Sequence, residues 1–215
     1  LYAFKPVYEI SANRLAFTQS PTLINFYEVI FENKQFISGF KNTVLNTIPT
    51  VLILVVTTSM SSWVLARFNT RFYSLMYSIM TVGLLIPFQC YILPLYVNFF
   101  KLGLVSNNIG FIIARSGLQI SISLVAVTGF VKTVPRELEE ASSIDGCSRF
   151  ATFWKIVFPL MTPINITQLV LNTVFVWNDY STAIILLRSK ESQTLTLAQI
   201  TYFNENTTLL THAFA

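Results

Sequence analysis

The sequence is short of the residues that a soluble surface or a catalytic centre needs. Only 11% of its 215 residues are charged, where a soluble domain carries about 25%. That is too little charge to cover a folded surface in water, and it excludes a disordered chain as well. The 14 basic residues leave a formal net charge of +4 but are spread along the chain, so they form no concentrated patch for nucleic acid. There is one histidine, His212, and two cysteines. Cys90 lies in a hydrophobic run and Cys147 in a polar loop, on either side of a predicted crossing, which argues against a disulfide framework and against a metal site. No G-x-x-x-x-G-K phosphate loop occurs, so no nucleotide cofactor is expected on this chain and no enzymatic role.

What the chain does have is hydrocarbon. Hydrophobic residues make up 53% and the mean hydropathy is +0.59. The class that follows is an all-α, polytopic helical membrane protein. A crossing needs about 20 mostly apolar residues, and four stretches qualify: 44–66, 72–97, 108–131 and 162–187. The second contains Pro87 and Pro94, which predict kinks or an early exit; Gln89 and Cys90 beside them mark either an opening or ordinary helix packing. The flanks 1–43 and 188–211 read as amphipathic and extracytoplasmic. Arg67, Arg71, Lys132, Arg136, Arg149 and Lys155 fall in two compact connections, and the positive-inside rule places these in the cytoplasm. Four spans would put both ends outside, so one further span is expected before this stretch and one after it.

The connection 132–160 carries eight of the 24 charged residues between Lys132 and Lys155. It reads as two short helices. Pro135 suits a first helical turn, and Glu137, Glu139 and Glu140 favour the positive end of the macrodipole. Gly146 permits a left-handed turn, and Ser148 can cap the second helix. Phe150, Phe153, Trp154 and Val157 then share one apolar face.

These residues carry a resemblance. Glu140-Ala141-Ser142, three residues, Gly146, nine residues, Ile156, then Phe158-Pro159 is similar to the EAA loop of ABC-importer permease subunits. The wider run from Pro135, the segment Trp177-Asn178-Asp179-Tyr180 and Gln193-Thr194-Leu195-Thr196-Leu197 resemble the carbohydrate-uptake branch, similar to the maltose-type second permease. Ser142 replaces an alanine, Phe158 a leucine, and Cys147 a small residue, all modest changes of volume. The resemblance implies the type I importer transmembrane fold, of which this chain holds the four central spans of six. It also implies partners: a second homologous permease, two ATPase subunits holding ATP and Mg, and an extracytoplasmic solute-binding protein, in the bacterial cytoplasmic membrane. Glu139, Glu140, Ala141, Ser142, Asp145, Gly146, Ile156 and Pro159 would form the ATPase-coupling loop. The cargo implied is a sugar or oligosaccharide; a polyamine, phosphate or amino acid is the alternative.

A polar stripe lies inside the predicted spans. Gln168, Asn172 and Asp179 fall within a narrow arc of one helix face, with Asn178 beside them and Gln119 on the preceding helix. Such a stripe faces either a translocation path or a neighbouring helix, where it would act as hydrogen-bonding glue. Arg115 either snorkels to the interface or pairs with Asp179.

Overall fold

The computed structural model describes residues 2–6, 9, 16–68 and 70–205, with the side chains of 201–205 left aside. The outer ends of the two flanks, and His212 with them, therefore lie outside the described residues. Among those described, the chain is helical with no strand. The principal helices are α1 (Lys34–Arg67), α2 (Arg71–Gly83), α3 (Phe88–Lys101), α4 (Asn108–Val131), α5 (Glu137–Ile144), α6 (Arg149–Leu160), α7 (Thr162–Trp177), α8 (Ser181–Leu186) and α9 (Leu195–Glu205). Helices α1 and α4 are each long and apolar enough to cross a membrane, and the count reaches four if the bent pairs α2–α3 and α6–α7 are each one span.

Three boundaries differ from the sequence reading, each for a local reason. Helix α1 begins ten residues before the expected span, at Lys34, because the Asn33 side chain accepts from the amides of Gln35 and Phe36 and caps it. The stretch 72–97 is two helices rather than one kinked helix, bent by 103° between Gly83 and Phe88. Pro87 cannot donate to a continuing ladder and disfavours helical geometry in the residue before it, so α2 ends in a turn. The helix expected over 162–187 stops at Trp177. Asp179 turns its carboxylate to the amide of Thr182, at 3.1 Å, and so supplies the start of α8 with an acceptor.

The chain divides into two compact units. The first comprises Leu1–Asn46, Phe99–Phe111 and Trp177–Ala215. Within it, the Asn42 amide donates to the carbonyls of Glu191 and Gln193 at 2.6 and 3.0 Å. The Leu195 amide donates to Thr43 Oγ1 at 2.8 Å. These bonds hold the 188–195 connection against the first turns of α1. Phe40 and Trp177 meet edge to face, with ring centroids 5.8 Å apart. Near the start of the chain, Glu9 accepts from the Ser20 hydroxyl at 2.7 Å. This bond, with others from Thr18, Ser20 and Gln19, holds its carboxyl below the usual range.

The second unit comprises Thr47–Asn98 and Ile112–Val176. Its core is Val127, Val131, Phe153, Val157 and Met161, with Trp63, Trp154 and Phe158 packed on it. The apolar face expected on α6 is only partly used: Phe153 and Val157 are buried, whereas Phe150 is 66% exposed.

Beside this apolar core, polar side chains are buried while many large apolar ones are exposed. In α1 the buried side chains include Asn46, Thr50, Thr58, Ser59 and Ser62, while Leu45, Leu52, Ile53 and Met60 are exposed. Helix α7 repeats this, with Asn165, Gln168 and Asn172 inside and Ile166, Leu169, Val170 and Val174 outside. Hydrocarbon around the helices accounts for both halves of the pattern, since lipid accepts apolar side chains and drives polar ones towards each other.

The first turn of α4 depends on one close approach. A Cβ on Gly110 would overlap the Leu104 carbonyl oxygen, whereas one on Gly117 would meet nothing within 4 Å. Gly110→Ala is expected to destabilise the protein by about 1–3 kcal/mol through this overlap. Gly117→Ala is expected to be neutral or stabilising by up to about 1 kcal/mol. Thermal unfolding of the detergent-solubilised variants, compared side by side, measures both.

Candidate functional site: the exposed helix of the 132–160 connection

Helix α5 is placed by its own ends and by one ion pair. At its C-terminus, Gly146 takes φ +78°, the Gly146 amide donates to the Ser143 carbonyl, and the Cys147 amide reaches back to the Ser142 carbonyl at 3.0 Å. This is a left-handed helix stop, in which a side chain at position 146 would be penalised. Ser148 follows with extended backbone and accepts from the Ala151 amide at 3.3 Å, which starts α6. Pro135 sits two residues before the first helical residue, Glu137, and Arg136 occupies the cap position.

Glu139 is turned into the protein. Its Oε1 accepts from Arg67 Nε at 2.7 Å and its Oε2 from Trp63 Nε1 at 2.9 Å. Arg67 also donates to the Val134 carbonyl at 2.9 Å. The two charged side chains are 7% and 15% exposed, so the pair is largely removed from water and both carboxylate oxygens are satisfied. Ser142 is also inward: it is buried and shares a 2.7 Å hydrogen bond with Thr152 of α6. Glu139 and Ser142, both placed in the coupling loop from the sequence, fasten α5 to α1 and α6.

The outward face is then defined by elimination. Glu137, Glu140, Ala141, Ser143, Asp145, Gly146 and Cys147 are exposed, and with them Leu138 at 43% and Ile144 at 86%. Ile156 is half-buried and Pro159 exposed. The result is a short helix with an apolar ridge and flanking carboxylates, on a base held by packing and ion pairing. Arg149 lies over the Phe68 ring, 5.0 Å from its centroid, and closes one side of the base.

The polar stripe of α7 lies elsewhere in the same unit, and it is closed. Gln119 Nε2 donates to Asn172 Oδ1 at 3.1 Å, Ser123 Oγ donates to the same oxygen at 3.3 Å, and Asn172 Nδ2 donates to Gln168 Oε1 at 3.1 Å. Ser59 of α1 donates to Asn165 Oδ1 at 2.9 Å. Of the two readings open at the outset, this geometry is that of hydrogen bonds between helices. Asp179 is not a continuation of the stripe, because α7 ends before it; Asn178 is exposed beside it. Arg115 Nη2 approaches the Phe175 carbonyl at 3.4 Å.

Sequence reasoning missed Trp63 and Arg67 as parts of the loop's support, because Arg67 read only as a charge in a turn. It also missed the inward polar face of α1. Thr43, Thr47 and Thr50 stand at i, i+4, i+7, and that spacing was the available signal.

Residues 58–215 match the family described as binding-protein-dependent transport system inner membrane component. The chain belongs to this family, the permease subunits of ABC importers. The permease is similar to several sugar-transport permeases. It is 33% identical over 205 residues to the probable starch degradation products transport system permease protein AmyC of Thermoanaerobacterium thermosulfurigenes, covering 95% of this chain and 74% of that one. It is 33% identical over 183 residues to the melibiose/raffinose/stachyose import permease protein MelC of Bacillus subtilis, covering 85% of this chain and 66% of that one. It is 32% identical over 205 residues to the multiple sugar-binding transport system permease protein MsmG of Streptococcus mutans, covering 93% and 73%. Among solved structures, a bacterial ABC transporter involved in the import of the acidic polysaccharide alginate shares the permease's fold. That match has a TM-score of 0.87 at 19% identity and covers 99% of this chain and 81% of the other.

Glu139→Gln removes one charge of a largely buried pair, and is expected to lower the stability of the permease by about 1–3 kcal/mol. Glu140→Gln, on the exposed face, is expected to change it by less than about 0.5 kcal/mol. Asn172→Ala leaves Gln119, Ser123 and Gln168 without their shared partner, and is expected to cost about 0.6–2 kcal/mol. Denaturation midpoints in one detergent rank the three variants.

Proposed function

We propose that this permease is the membrane-spanning half of an ATP-driven importer for a sugar or oligosaccharide, and that α5 is the element through which a cytoplasmic ATPase moves it. The observation that carries the reading is the division of α5 into two faces. Glu139 and Ser142 fasten the helix to the rest of its unit, while Leu138, Ala141, Ile144 and Asp145 stand outward. A helix fastened in this way passes a push on its outer face to α1 and α6 as rigid bodies, which is what coupling to a remote ATPase requires. The apolar ridge gives a partner cleft something to bury, and Glu140 and Asp145 offer charge-assisted hydrogen bonds to basic groups at its edge.

The cytoplasmic placement of this loop rests on charge. Arg67, Arg71, Lys132, Arg136, Arg149 and Lys155 cluster on the connections that meet at the Arg67–Glu139 pair, and such clustering favours the cytoplasmic side. The cargo is read from the relatives, whose names specify starch products, melibiose with raffinose and stachyose, and multiple sugars. ATP and Mg would reside on the ATPase subunits. A second permease would complete the translocation path, and an extracytoplasmic binding protein would deliver the sugar. The closed network around Asn172 favours a path formed where two permeases meet over one that runs through this unit.

Ile144→Glu and Gly146→Val test the coupling role from two directions. The first changes only the outward face; the second penalises the left-handed turn that sets the helix's angle. Both are expected to abolish sugar uptake and reduce co-purification of the ATPase by at least about tenfold, with the membrane-inserted level of Ile144→Glu unchanged. Uptake and ATPase recovery unaltered in Ile144→Glu would refute the role. Saturable uptake blocked by amines but not by sugars would reassign the cargo.

A further inference from the structure

Three apolar helices change character at one place. Helix α1 ends at Arg67, α2 begins at Arg71, and α4 ends at Val131 with Lys132 next in the chain. Beside these termini is a cavity of about 400 Å³. Arg67, Lys132 and Arg136 line it together with Tyr73, Ser74 and Tyr77 from the first two turns of α2, and no carboxylate is among its lining residues.

The charges are not equally engaged. Arg67 is committed to Glu139 on its other side. Lys132 and Arg136 are exposed. The Lys132 ammonium lies 5.6 Å from the centroid of the Tyr77 ring. One Arg136 nitrogen makes a long contact of 3.4 Å to the Ala66 carbonyl, and a guanidinium has further N–H donors in a planar fork that suits phosphate. The N-terminus of α2, capped by Thr70, adds the positive end of a helix dipole. Hydroxyls of Tyr73, Ser74 and Tyr77 supply neutral donors at the same wall.

This is an anion site by composition, and its depth selects the anion. It sits where apolar helices give way to basic connections, and α2 exposes Phe72, Leu75 and Ile79 on the face turned away from the cavity. In a membrane that is the level of the headgroups, where basic pockets between spans hold acidic lipids. We propose that this cavity binds the phosphate of an anionic phospholipid. Arg136 would take the phosphate oxygens, Lys132 would act as the neighbouring point charge, and the α2 hydroxyls would fix the headgroup. The lipid would thereby join α2, α4 and the connection leading to α5.

The test reads binding without transport, so its outcome is independent of the cargo and of ATPase coupling. The intact transporter is delipidated in detergent and titrated, with native mass spectrometry as the readout. The probes are phosphatidylglycerol, phosphatidylcholine with the same acyl chains, and glycerol 3-phosphate as the headgroup anion alone. Phosphatidylglycerol is expected to bind preferentially. The Lys132→Gln/Arg136→Gln variant is expected to weaken it about tenfold or more, while Lys190→Gln, in the first unit, leaves it unchanged. Equal binding of the two lipids overturns the proposal, as does an unaffected double variant. Glycerol 3-phosphate binding as tightly as the lipid overturns it in favour of a free-anion site. If the double variant does not assemble, Lys132→Gln alone, which lies outside α5, carries the comparison.

Discussion

The Glu139 carboxylate receives a guanidinium on one oxygen and an indole N–H on the other. Arg67 and Trp63 lie one turn apart on α1, so the two donors arrive from one face of a helix that is itself packed against Phe153 of α6. The carboxylate belongs to α5. One residue therefore ties the end of a long apolar helix to the short exposed one, and Arg67 extends the tie to the Val134 carbonyl before α5 begins. A largely desolvated ion pair contributes little net stability when compared with an apolar pair, but it tolerates very little displacement. That intolerance fixes the angle at which α5 leaves the end of α1.

The same demand for satisfied polar groups organises the helices away from the loop. Around α7 the surroundings are apolar, so Asn165 and Asn172 find partners on α1 and α4, and Gln168 accepts from Asn172 one turn along its own helix. Each such bond is modest. Their value lies in direction: they set which faces of three helices meet, in a setting where one apolar face would otherwise serve as well as another.

Much of the loop was legible in the chain. The left-handed turn at Gly146, the cap at Ser148 and the helical reading of residues from Glu137 onward follow from backbone geometry that only a few residue types favour, and such geometry is local. The inward turn of Glu139 was not legible, because Glu137, Glu139 and Glu140 are chemically alike and nothing within a few residues says which one meets Arg67. Phe150 likewise shares the periodicity of Phe153 and Val157, yet stands exposed, since the helix packs only along part of that stripe. The break after Trp177 lay between these cases. Asn178 and Asp179 are both weak helix formers that favour caps, but the apolar run on either side of them is what a continuous span would also show.

Composition and hydropathy alone determined that this is a helical membrane protein, and the spacing from Glu140 through Gly146 to Pro159 determined its kinship. Those properties depend on the solvent a side chain prefers and on the dihedral angles its neighbours allow, both of which are carried by short stretches of chain. Tertiary structure alone decided which acidic residue is a fastening and which stands exposed. It also decided that Asn165 and Asn172 of α7 meet side chains of α1 and α4, and that Lys132 and Arg136 come to line one cavity with the start of α2. Those outcomes depend on distances between residues tens of positions apart, and such distances exist only once the helices have packed.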